Sequence, residues 1–144
     1  HELLLEIICP GALTMTGSDD TVVLRAIRRL YNLGIRPEWW KLAPMSEAGW
    51  DALALLIAAR DPWCRGAVIL GLNQPIEALA ESFVKASNSI VKGFMVGRSL
   101  WAEPSARWLR KQCTDQELVD AVAHNFTTLS RAWAARRPHA TIGA

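Results

Sequence analysis

The stretch "GAVILGL", residues 66–72, settles the reading of the fold. Its apolar residues run on without alternating with polar ones. That is the pattern of a strand buried on both faces, as in a parallel sheet. Directly after it, Pro75 suits a first helical turn, and Ile76, Leu79, Ala80 and Phe83 form one apolar helix face. Directly before it, Ser46 can cap "SEAGWDALALLIAAR", whose stripe is Trp50, Leu53, Ala54 and Ile57. The central strand therefore sits between two amphipathic helices.

The same unit recurs on both sides. "ELLLEII" (2–8), "EWWKLAP" (38–44) and "IVKGFMVG" (90–97) read as three further strands. "SDDTVVLRAIRRLYNLG" reads as a helix that Asp20 can cap and Gly34 ends, with Val23, Ile27, Leu30 and Tyr31 on its buried face. Two helices follow the fourth strand. The second opens on a capping box, Thr114 with Glu117, and carries Leu118, Val122, Phe126, Leu129 and Trp133 as its stripe. Strands alternating with helices predict an α/β fold of parallel β/α units joined by right-handed crossovers.

Four such units fit two architectures. An open doubly wound sheet could close its core at this length. The alternative is half of a (β/α)8 barrel, whose full form takes about 250 residues; half a barrel leaves unpaired sheet edges. The chain opens "HELLLEII", without methionine and already inside a strand, so we read it as part of a longer one. Residues 138–144 read as a mobile tail.

Composition excludes several function classes. At 51% hydrophobic and 21% charged residues, the chain is globular rather than disordered. A net charge of +2 gives no footprint for nucleic acid, and much of the excess lies in "RAWAARRPHA". No apolar run reaches the roughly 18 residues that a membrane span needs. Cys9, Cys64 and Cys113 lack metal-ligand spacing, which suits a reducing cytoplasm. His1, His124 and His139 are scattered, and Ser99 has no neighbouring histidine. The expectation is no metal and no cofactor.

The chemistry is expected at the carboxyl ends of the strands. Glu6 stands among Leu4, Leu5, Ile7 and Ile8, where an acid is costly to bury unless paired or functional. Lys41 shares a strand face with Trp39 and Ala43 and reads two ways. Among dry aromatics its amine would be a nucleophile suited to a Schiff base; otherwise it snorkels to solvent past Trp40 or pairs with Glu6. The loops "LGLNQP" and "VGRSLW" supply Gly71 and Gly97, which allow close backbone approach, and Arg98, which matches phosphate oxygens. Trp101 and Trp108 read as packing residues.

These stretches also carry a resemblance. "RRLYNLGIRPEWWKLAP", "GAVILGLNQPIEALAESF" and "VKGFMVGRSLWAEP" resemble the 2-deoxy-5-keto-gluconate 6-phosphate aldolase family of myo-inositol catabolism. The likeness covers residues 1–137 and only the C-terminal half of that family's domain, which implies strands five to eight of a (β/α)8 barrel. It further implies a phosphorylated keto-sugar acid as substrate, closure by a missing N-terminal half-barrel or a second copy, and the fusion to a sugar kinase common in that family. A more distant similarity to tagatose-bisphosphate-type class I aldolases implies roles. Glu6 matches their strand-five acid, Lys41 their Schiff-base lysine, and Gly97, Arg98 and Trp101 their phosphate-side motif. After the third strand this chain departs from them: it has Gly71 and Asn73 where they carry serine and glycine, so Asn73 is expected to supply that contact. Two rivals stand beside the aldolase: a non-catalytic sugar-phosphate sensor, and a metal-dependent aldolase with ligands from elsewhere.

Overall fold

The computed structural model describes residues 1–9 and 20–138. The elements follow in the order β1 (Leu4–Ile7), α1 (Asp20–Asn32), β2 (Trp39–Leu42), α2 (Glu47–Arg60), β3 (Gly66–Leu70), α3 (Ile76–Lys85), β4 (Val91–Met95), α4 (Arg98–Leu109) and α5 (Asp115–Ala135). Each strand is shorter than the apolar run that announced it. The residues expected in the tail from 139 onward lie outside the described residues.

The four strands are parallel and stand in sequential order, β1-β2-β3-β4. A doubly wound sheet would reverse its order at a switch point; this one does not. Right-handed crossovers in a sequential sheet bring the helices to one face, and the register shows which. Leu5, Trp40, Ala67 and Val91 lie side by side, as do Ile7, Leu42, Ile69 and Phe94. Five of these, Trp40, Leu42, Ala67, Ile69 and Val91, are fully buried, so this is the helix-covered side. The row between them, Glu6, Lys41, Val68 and Gly93, points the other way. A register shift between Ala67 and Val68 leaves Lys92 as the extra residue of β4.

The core forms where the helical stripes meet that covered face. Trp40 Nε1 donates to the Tyr31 hydroxyl at 3.0 Å, the two rings standing edge to face. Burial raises the Tyr31 phenol above its ordinary value. Phe83 of α3 stacks on Phe94 and meets Trp133 edge-on, tying α3 and α5 to β4. Arg136 closes the far end of α5. It donates to the carbonyls of Ala86 and Val91 and lies over the Trp133 ring.

Helix ends follow the sequence with one exchange of roles. Gly34, at φ 80°, ends α1; its N–H reaches Tyr31 O and that of Ile35 reaches Leu30 O, a Schellman arrangement. Asp20, expected to cap α1, is instead its first residue, and its carboxylate accepts from the backbone and hydroxyl of Ser46. Ser46 in turn caps α2 by accepting from Gly49 N–H. Gly49 is required there, since a Cβ would stand 2.4 Å from Asp20 Oδ2. Pro75 sits at the N-cap of α3, just before the first turn.

The capping box at Thr114 and Glu117 is present. Hydrogen bonds from the Thr114 backbone and hydroxyl hold the Glu117 carboxyl below its ordinary value. A lowered folded value means that Glu117 adds stability above its unfolded value and loses it as pH falls through the folded one. Thr114→Ala is expected to cost about 1 kcal/mol near neutrality. The gap from wild type should narrow in acid, as urea denaturation at both pH values would show.

The stripe expected on α5 is only partly buried. Leu129 is fully buried, but Phe126 is 52% exposed. Among the described residues the sheet ends at β4, so Phe126, 6.3 Å from Phe94 of that strand, has no further strand beside it. No helix among the described residues is long and apolar enough to cross a membrane.

Candidate functional site

The open face of the sheet carries its charges at the carboxyl ends. Because β1 and β2 pair in register, Glu6 and Lys41 stand opposite each other on that face. Their side chains meet as an ion pair, Lys41 Nζ to Glu6 Oε2 at 3.0 Å. The Lys41 side chain is 19% exposed, so most of it is withdrawn from water while its tip stays reachable. The two tryptophans before it divide between the faces. Trp40 enters the core and does not shield the amine. Trp39 shares the lysine's face but sits nearer the amino end, donating to Glu2, which also pairs with Arg65. Of the two settings read from "EWWK", a dry aromatic wall and a partner for Glu6, the structure shows the second.

Two loops form the opposite wall. After β3, Leu72 and Asn73 both adopt left-handed backbone angles, φ 48° and 60°. Asparagine tolerates that region and leucine does so only at a cost, a form of strain that gathers at ligand-binding loops. Gly71 is needed because a Cβ would stand 2.7 Å from Ser99 Oγ and 3.0 Å from Val96. Ser99 donates to Gly71 O at 3.3 Å, which links the loop after β3 to the start of α4.

Gly97 is the N-cap of α4 and offers no side-chain acceptor to the helix. The other helices carry an acid in the first turn; α4 carries Arg98 there instead. A cation at the positive end of a helix is unfavourable by itself, and an anion placed there would reverse the sign.

The two walls enclose one cleft of about 750 Å³. All six residues singled out in the sequence line it: Glu6, Lys41, Gly71, Asn73, Gly97 and Arg98. Ser99 and Trp101 line it too, with Ile8, Leu70, Leu72 and Met95 as its apolar part. Ser99 was set aside in the sequence because no histidine stood near it, and its structural part is to bridge two loops. Trp101 was read as a packing residue before the family likeness, yet it is 46% exposed, with Nε1 near Gly97. Among the described residues no group of three His, Cys, Asp or Glu side chains could hold a metal.

No curated protein and no solved structure matches this chain. A family model described as "Uncharacterized protein conserved in bacteria (DUF2090)" matches residues 1–137. That span takes in every element of the fold and every residue of the cleft, and the chain belongs to the bacterial family DUF2090.

Proposed function

We propose that the chain is the C-terminal half of a (β/α)8 barrel and works as a class I aldolase on 2-deoxy-5-keto-gluconate 6-phosphate. The carrying observation is that one cleft holds both an amine–carboxylate pair and a cationic, uncapped helix start. Family membership is compatible with this reading, and the sequential sheet with one open face supports the half-barrel.

Glu6 relieves Lys41 of a proton as the substrate arrives. Lys41 Nζ then attacks the C5 ketone; Glu6 returns its proton to the carbinolamine hydroxyl, which leaves as water and gives a protonated imine that withdraws electrons. Glu6 takes the proton of the C3 hydroxyl, the C3–C4 bond breaks, and malonate semialdehyde leaves. The enamine gains a proton at C4, and water releases dihydroxyacetone phosphate. Arg98, backbone N–H groups at the start of α4 and Asn73 hold the phosphate throughout.

A sensor reading keeps the same site and drops the chemistry. The ion pair favours it, because Lys41 is engaged with Glu6. Borohydride reduction in the presence of dihydroxyacetone phosphate, with peptide mapping by mass spectrometry, separates the two. The aldolase reading expects an adduct on Lys41. Cleavage without a trapped lysine would sink the Schiff-base scheme. Phosphate-ester binding with neither cleavage nor adduct would establish the sensor.

A further inference from the structure

We infer that Ser99 is a positioning residue: its hydroxyl latches the turn after β3 in a left-handed form, and that turn sets Asn73 on the cleft wall. The inference rests on reading this end of the cleft as a phosphate site and is independent of the lysine chemistry.

Residues 71–74 form a tight turn, closed by Gln74 N–H donating to Gly71 O at 2.9 Å. Its two central residues, Leu72 and Asn73, both have positive φ, 48° and 60°. That is the pattern of a type I′ turn, whose central positions favour asparagine, aspartate and glycine. Leucine at the first of them is costly. Opening the turn would relieve that cost, so contacts from outside must keep it closed.

Two contacts do so. The Leu72 side chain is half-buried and packs against the core. The Ser99 hydroxyl donates at 3.3 Å to Gly71 O, the same carbonyl that closes the turn. Both acceptor positions of that carbonyl are then filled. Ser99 is the second residue of α4, directly after Arg98, so its bond also ties the turn to the helix start that carries the cation.

Asn73 depends on the turn because open space lies on both sides of it. It is exposed and lines two cavities, the cleft and a second of about 340 Å³ that Gln74, Glu77, Glu103 and Asn125 help to bound. A side chain so placed takes its position from its own backbone. The phosphate contact given to Asn73 is therefore made only while the turn is closed, and the observed affinity falls with the share of chains still closed.

Glycerol 3-phosphate is the probe, a phosphate ester with no ketone for Lys41 to attack. In the full chain, Ser99→Ala is expected to raise its Kd about three- to fivefold, as for one long neutral hydrogen bond. Exchange of the Gln74 amide with solvent should quicken by at least the same factor, with the helical signal retained. In an Asn73→Ala background Ser99→Ala should change the Kd no further. Adding Leu72→Asn, which suits the turn, should return both readings of Ser99→Ala towards wild type. An equal loss of affinity from Ser99→Ala in the Asn73→Ala background would mean that the hydroxyl touches the ligand, and would overturn the proposal. So would Gln74 exchange that ignores Ser99→Ala, or no recovery with Leu72→Asn. A wild type that binds no glycerol 3-phosphate would sink the phosphate site and this role with it; binding that ignores Ser99→Ala would sink this role alone.

Discussion

Lys41→Met is expected to abolish the borohydride-trapped adduct completely while phosphate-ester binding stays within a fewfold of wild type. The amine forms the covalent bond in the proposed scheme, whereas Arg98, Asn73 and the start of α4 hold the phosphate from the other wall of the cleft. Glu6→Gln divides the pathway differently. It removes the base that the C3 hydroxyl needs but leaves the amine in place. Adducts with dihydroxyacetone phosphate should form more slowly with Glu6→Gln, because water must then take the proton of Lys41, while cleavage falls further, by the 10² to 10⁴ typical of a lost general base. Trapping and turnover must therefore be measured on the same samples. An adduct that survives in Lys41→Met would place the nucleophile elsewhere. Equal loss of trapping and cleavage in Glu6→Gln would mean that Glu6 prepares the amine and does nothing later.

Trp40→Ala is expected to cost about 3–5 kcal/mol, the range for truncating a buried aromatic. For a chain of this size that is a fall in Tm of roughly 10 °C or more. Trp40 is fully buried, contacts Tyr31 edge to face and donates to its hydroxyl. Trp50 is a natural control. It is as deeply buried, but its Nε1 has no hydrogen-bond partner among the described residues. Trp40→Phe leaves the Tyr31 hydroxyl without its donor, whereas Trp50→Phe removes an unsatisfied N–H. Thermal unfolding should therefore rank Trp40→Phe below Trp50→Phe. The reverse order would mean that the tryptophan–tyrosine hydrogen bond contributes nothing measurable.

Much of the framework was legible because it depends on local pattern. The unbroken run at 66–72, the helix stripes, Gly34 and the Thr114–Glu117 box each act within a few residues, and each element formed close to its expected place. The residues that line the cleft were legible for a related reason. Strand ends are where a parallel sheet gathers ligands, so the candidates could be named once the strands were.

Other features depend on what lies across space, and sequence periodicity does not encode them. Alternation along "EWWKLAP" already set Trp40 on the face opposite Lys41, but the choice between a dry amine and a partner for Glu6 depends on the register that puts Glu6 across from it. Asp20 stood at the head of a helix and served the next one, because α1 and α2 pack with their starts together. Phe126 fitted the apolar stripe of α5 and stays half in water, because among the described residues the sheet beside it stops at β4. By itself, then, the sequence determined the β/α alternation, the helix ends at Gly34, Ser46 and Thr114, and the identities of six of the cleft residues. Tertiary structure alone decided the sequential strand order, the pairing of Lys41 with Glu6 and the meeting of the β3 and β4 loops at Gly71 and Ser99. Those depend on register and on how two backbones approach, quantities that exist only when distant segments are packed together.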